Sequence, residues 1–246
     1  MVEIKKVIGN WKMNKTLKET LDFFKYFIDL SSNIHCIIAP SFVNLESSVK
    51  AVEGTKIKIF AQNCNENFFG AFTGEVSPCM LENIGVSGVI LGHSERRNIG
   101  ETDEIINKKI KAALKFNLDI VLCIGESQES RLCNESYKVL GSQICEAFHG
   151  LAPTELEKVI IAYEPTWAIG SKSPASAQKI FDIVKWIKNF SKTNFKNNFE
   201  VFYGGSVNGK NCNEILKVQG IDGTLVGGAS LDPMEFFKIV CEAALI

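Results

Sequence analysis

A carboxylate, an imidazole and an ammonium each stand at the end of a short apolar run. Glu164 follows Val159-Ile160-Ile161-Ala162-Tyr163, His93 follows Gly88 to Gly92, and Lys12 comes two residues after Asn10 at the end of Val7-Ile8-Gly9. A carboxylate among apolar neighbours loses hydration and works as a general base, and an imidazole can polarise a carbonyl as a hydrogen-bond donor. An ammonium attracts an anionic substrate and stabilises charge developing on an oxygen. Each residue alone also has an ordinary reading: a loop glutamate, a packed histidine, a surface lysine. Asn10 and Lys12 are two apart on an expected strand, so their side chains should share a face. Ser94 after His93 suggests a helix start, whose N–H donors disfavour a proton on the imidazole. Glu95 fits a supporting role, as a partner for Lys12 or a neighbouring arginine. Pro165 ends the Glu164 run, and Thr166-Trp167-Ala168-Ile169-Gly170 reads as a small lid whose closure takes Trp167 and Ile169 out of water.

Short apolar runs recur at Val7 to Gly9, His35 to Ala39, Ile57 to Ala61, Gly88 to Leu91, Ile120 to Ile124, Val159 to Tyr163, Val201 to Tyr203 and Gly223 to Val226. They lack polar alternation, as strands buried on both faces do. Helix signals lie between them: Thr16 with Glu19 as a capping box ahead of Leu21, Phe24 and Ile28; Leu45, Val49 and Val52 stopped by Gly54; Ser77-Pro78 and Asp232-Pro233 as caps; and Asn211 with Glu214 as another start. Eight alternations predict a parallel (β/α)8 barrel in one α/β domain over residues 1–246, closure removing the edges of an open sheet. An open doubly wound sheet is the alternative, but no strand is followed by the glycine fingerprint of a dinucleotide site.

Chemistry in such a barrel sits at the C-terminal strand ends. The last two ends carry glycine pairs, Tyr203-Gly204-Gly205-Ser206 and Leu225-Val226-Gly227-Gly228. Adjacent pairs let backbone N–H groups approach a phosphate, with the Ser206 hydroxyl as a further donor. A net charge of -1 argues against a bulk nucleic-acid face, and no apolar run reaches the length of a spanning helix. Eight scattered cysteines form no metal-like cluster and are expected as reduced buried thiols, Cys123 among them as a packing residue. The first strand begins at once, leaving no room for a signal peptide, so a cytoplasmic location is expected. Phe68, Phe69 and Phe72 crowd the loop from Asn65 to Gly74, an apolar patch expected to dock on another molecule, with a fold back onto its own chain as the alternative.

The strand-end motifs Asn10-Trp11-Lys12, Gly92-His93-Ser94-Glu95-Arg96-Arg97 and Tyr163-Glu164-Pro165-Thr166-Trp167-Ala168-Ile169-Gly170 resemble those of the triosephosphate isomerase family, and the likeness runs through the whole chain. The resemblance implies the TIM barrel and cofactor-free, metal-free interconversion of dihydroxyacetone phosphate and D-glyceraldehyde 3-phosphate, a step of glycolysis and gluconeogenesis. It implies Glu164 as base, His93 as electrophile, Lys12 beside the developing oxyanion, and Asn10, Gly170, Ser206, Leu225, Gly227 and Gly228 around the substrate. It further implies a homodimer in which Thr73 on the phenylalanine loop reaches the partner's site. A Schiff-base aldolase would need a lysine where Glu164 stands, and a barrel that only binds phosphate would lack one of Glu164, His93 and Lys12. The chain departs from the family pattern after Gly170, where Ser171-Lys172-Ser173-Pro174-Ala175-Ser176 lacks the hinge glycine and runs about three residues short. Arg97 to Glu101 runs about one residue short.

Overall fold

The computed structural model describes residues 5–31, 35–168 and 175–246. Among them, eight parallel strands close into a barrel in sequence order: β1 (Lys6–Asn10), β2 (Ile37–Ala39), β3 (Lys58–Ala61), β4 (Gly88–Leu91), β5 (Asp119–Ile124), β6 (Val159–Tyr163), β7 (Glu200–Tyr203) and β8 (Gly223–Val226). The first strand pairs with the last, Gly9 opposite Val226, so no edge is left open. This is the (β/α)8 TIM barrel that the alternation predicted.

Strand residues alternate between two apolar surroundings rather than between core and water. Val121, Cys123, Ala162, Phe202 and Leu225 fill the barrel axis. Their strand neighbours Ile120, Leu122, Ile124, Ile161, Tyr163, Val201 and Val226 pack outward beneath the helices. Full burial of each aliphatic side chain contributes roughly 1.5–3 kcal/mol, which is why these strands read as unbroken apolar runs. The same period of two carries past the strand ends and sets which strand-end residues face the axis.

The helices are α1 (Leu17–Ser31), α2 (Leu45–Ala51), α3 (Pro78–Asn83), α4 (Ser94–Asn98), α5 (Asp103–Lys115), α6 (Gln128–Leu132), α7 (Ser136–Ala147), α8 (Pro153–Leu156), α9 (Ala177–Phe195), α10 (Cys212–Leu216) and α11 (Pro233–Ala244). Thr16 and Glu19 form the capping box, the Glu19 carboxylate accepting from Thr16 N at 2.7 Å. Ser77 accepts from Met80 N at 3.2 Å and Asp232 from Glu235 N at 2.8 Å. Two expectations fail locally. Leu21 is 44% exposed, because the face that α1 turns to the core carries Thr20, Phe23, Phe24 and Phe27. Asn211 precedes α10 but does not cap it; its Oδ1 accepts from Asn208 N at 2.8 Å, holding the preceding turn. No helix among the described residues is long and apolar enough to cross a membrane.

Candidate active site

At the C-terminal mouth of the barrel lies a cavity of about 520 Å³ lined by Asn10, Lys12, His93, Glu95, Glu164, Ser206, Leu225, Gly227 and Gly228, with Trp11, Asn14, Gly204, Gly205, Val207, Asn208 and Ala229. Glu164 is the first residue past β6 and two beyond Ala162, an axis residue, so the strand period turns its side chain inward. Its N–H donates to Ile124 O at 2.8 Å, extending the β5–β6 ladder by one residue. The carboxylate is buried, only 3% of the residue being exposed, and Oε2 has no hydrogen-bond partner among the described residues. Gly204, on the adjoining strand end, makes its space. A Cβ there would stand 2.6 Å from Glu164 Cγ, a separation that no side chain tolerates.

His93 follows β4 and, rather than Ser94, is itself the cap of α4. Its Nδ1 accepts from Glu95 N at 3.2 Å. That bond needs the Nδ1 lone pair, so the neutral ring carries its proton on Nε2, which points at Glu164 Oε1, 3.2 Å away. Burial works against a charged imidazole, but the Glu164 carboxylate outweighs it and lifts the His93 pKa above its ordinary value. The expectation of an unopposed downward push by helix donors is therefore incomplete: it omitted the carboxylate next to the ring.

Lys12 reaches the cavity by a route other than strand alternation. β1 ends at Asn10, and Lys12 takes a left-handed backbone with φ 54°. Asn10 Oδ1 accepts from Lys12 N at 3.0 Å, and Gln62 Nε2 donates to Lys12 O at 2.9 Å, so side chains on both sides hold this turn. The ammonium pairs with Glu95 at 2.6 Å. Burial opposes charge on Glu95, yet the Lys12 contact brings its pKa below the usual carboxylate value. Beside Lys12, across the β1–β8 seam, Gly228 opens a 3-10 turn, Gly228–Ser230, at the end of β8.

The sequence profile of triosephosphate isomerase matches residues 5–243. The chain belongs to the triosephosphate isomerase family. It is 44% identical over 241 residues to the triosephosphate isomerase of Aquifex aeolicus, covering 95% of this chain and 97% of that one. It is 42% identical over 249 residues to that of Mycoplasmopsis pulmonis, covering 97% and 98%. The crystal structure of triosephosphate isomerase from Bartonella henselae superposes with a TM-score of 0.89 at 32% identity, across 99% of this chain and 100% of that one.

As a family member the chain is an isomerase, and several residues around its cavity were not foreseen in their roles. Glu126 is a buried acceptor. Its Oε1 takes hydrogen bonds from Tyr163 OH and Trp167 Nε1, both at 3.0 Å, and its carbonyl takes one from Thr166 Oγ1 at 3.0 Å. Arg131 lies over the Trp167 ring, 3.9 Å from its centroid. Glu126 thus anchors the upstream flank of the expected lid, and Tyr203 OH, accepting from Ala175 N at 3.1 Å, anchors the downstream flank. Gly170 and the altered hinge from Ser171 to Pro174 lie outside the described residues. Arg97 braces the His93 loop, donating to Gly92 O at 2.7 Å and to Cys123 O at 3.2 Å. In the shortened stretch after it, Arg96 pairs with Glu101 at 2.6 Å, and Glu101 also receives the buried Lys109.

Cys123 is buried on the barrel axis, where burial and the Glu164 charge raise its thiol pKa well above the ordinary value, so it stays protonated and packs. The general expectation of buried thiols holds for Cys36, Cys64, Cys123 and Cys212 only; Cys133 and Cys145 are exposed, and Cys79 and Cys241 are half-buried. Thr73 is exposed on the 65–74 loop and does not line this chain's own cavity. The loop divides its phenylalanines. Phe68 packs edge-on against Phe116 of the same chain at 5.0 Å, whereas Phe69 and Phe72 stay 74% and 45% exposed.

Proposed function

We propose that this enzyme interconverts dihydroxyacetone phosphate and D-glyceraldehyde 3-phosphate through an enediol(ate), with Glu164 as the base and His93 and Lys12 at the reacting oxygen. The observation that carries this reading is the buried approach of Glu164 Oε1 to His93 Nε2 at 3.2 Å, in a cavity that also receives the Lys12 ammonium. Glu164 takes a proton from the carbon next to the carbonyl, and the electron pair left behind moves onto the carbonyl oxygen. His93 Nε2–H and Lys12 stabilise that oxygen as it takes up the hydroxyl proton of the neighbouring carbon; Glu164 then returns its proton to the former carbonyl carbon, and the neighbouring carbon becomes the new carbonyl. Taking up the proton discharges Glu164. The influence that lifts the His93 pKa then fades, and burial with the Glu95 N–H favours the neutral imidazole as a hydrogen-bond donor.

The non-reacting phosphate is held by backbone donors at Gly227 and Gly228 with Ser206 and Leu225, while Asn10 supports Lys12 and borders the substrate. Gly170 would add a donor from the lid, a role that rests on the family resemblance. Holding the phosphate supplies binding energy for closure. We further infer one catalytic domain that works in the cytoplasm as a homodimer, Phe69, Phe72 and Thr73 of the 65–74 loop docking on a second copy. Exposed Phe69 and Phe72 support this, since large aromatics side by side are costly to leave in water.

The direct test is a coupled isomerase assay of the wild type and Glu164→Asp, which withdraws the carboxylate by one methylene. We expect kcat to fall about 10²-fold or more while competitive inhibition by inorganic phosphate is unchanged. Undiminished turnover with phosphate binding retained would remove Glu164 from the role of base.

A further inference from the structure

Trp11 is fully buried between the lysine-bearing loop and the end of β8, and nothing in the reaction above uses it. Its ring packs on Phe23 at 4.7 Å and Phe24 at 5.6 Å, which accounts for its bulk. Its polar atom is spent elsewhere: Nε1–H donates to the Ser230 carbonyl at 3.0 Å, across the barrel seam. Ser230 is itself fully buried and acts back on the turn it closes, because its N–H and its hydroxyl both donate to the Gly227 carbonyl, at 2.8 and 2.7 Å. A trans peptide is planar, with the carbonyl of one residue and the N–H of the next pointing in opposite directions. With the Gly227 carbonyl drawn toward Ser230, the Gly228 N–H is turned the other way, toward the cavity that Gly227 and Gly228 line. Gly9 permits this contact, since a Cβ on it would come within 2.9 Å of Ser230 Cβ.

We propose that Trp11 is a positioning residue for phosphate: through Ser230 it fixes the Gly227–Gly228 peptide so that its N–H faces the substrate. The inference rests on the reading that these glycines hold the phosphate. Losing the indole donor leaves a buried carbonyl unpaired, and the turn must shift to satisfy it.

Trp11→Phe keeps an aromatic ring on Phe23 and Phe24 while removing the donor and part of the indole's bulk. We expect the Ki of inorganic phosphate and the KM of the triose phosphate to rise together, roughly fivefold or more. Isomerisation of D-glyceraldehyde, which has no phosphate, should stay within about twofold, since Trp11 acts only through the cradle. A lowered unfolding midpoint with an unchanged phosphate Ki would make Trp11 a packing residue and overturn the proposal, as would equal losses on both substrates. Gly228→Asp separates the two levels, because a Cβ at Gly228 meets nothing within 4 Å and the added carboxylate repels phosphate. If Gly228→Asp leaves the phosphate Ki unchanged, the cradle reading falls and this proposal with it. If it raises Ki while Trp11→Phe does not, the cradle stands and the role of Trp11 is overturned. Should Trp11→Phe fail to fold, the Trp167→Phe/Trp186→Phe chain leaves Trp11 as its one indole. Its N–H resonance is expected to move on saturation with inorganic phosphate, and a static resonance overturns the proposal.

Discussion

The Glu164 carboxylate is the main influence that raises the His93 pKa, and this has a measurable consequence for stability. The folded-state pKa of His93 is raised above its ordinary 6.5. A histidine of this kind binds its proton more tightly when folded, so its contribution is fully present below pH 6.5 and is lost as pH rises through the higher folded value. Urea unfolding followed across that window should show stability falling with pH, and Glu164→Gln should flatten the slope. An identical slope in the variant would show that the carboxylate does not govern His93. The identities of these residues were legible because a lone charge ending an apolar run is an unusual placement. The lysine turn was not legible: a left-handed backbone at Lys12 depends on Asn10 and Gln62, and Gln62 belongs to another strand's end.

At the level of elements, the flanks of the 169–174 segment are set by side chains from neighbouring strands. Glu126 follows β5 and receives Tyr163 and Trp167 from β6 and the turn beyond it. Glu126→Ala leaves the buried Tyr163 hydroxyl and the half-buried Trp167 N–H without their acceptor, so a loss of about 1–3 kcal/mol in unfolding free energy is expected by chemical denaturation. Glu126→Gln keeps an acceptor oxygen and should cost about half as much. Equal losses for the two variants would mean that the negative charge, rather than the hydrogen bonding, matters. The strands, the capping box at Thr16 and the proline-led caps were readable because each is encoded within a few residues. The Glu126 hub was not, since its three residues meet only when Ile124 pairs with Tyr163.

For the whole molecule, closure of β1 on β8 brings the lysine end of the chain beside the last glycine pair, more than 200 positions away in sequence. Outside the barrel, Phe69 and Phe72 offer an apolar surface next to a loop phenylalanine that is already packed at home. In the proposed dimer, Phe69→Asp would place an unpaired charge at the contact, and a rise of about 10²-fold or more in the dimer dissociation constant is expected by sedimentation velocity. Specific activity should then fall on dilution at concentrations where the wild type holds constant. A wild type that sediments as a fully active monomer would end the dimer reading.

The order of strands and helices, the closed barrel and the residue types at its mouth follow from the sequence alone, because the burial of both strand faces, the helix caps and the strand-end motifs are local patterns. Only the tertiary structure decided how those residues meet. The contact of His93 with Glu164, the Gln62 bond that holds the left-handed Lys12, the space that Gly204 leaves for Glu164 and the Trp11–Ser230 bond all join groups distant in the chain. Their geometry is set by packing and hydrogen bonding across strands, forces that no stretch of sequence carries by itself.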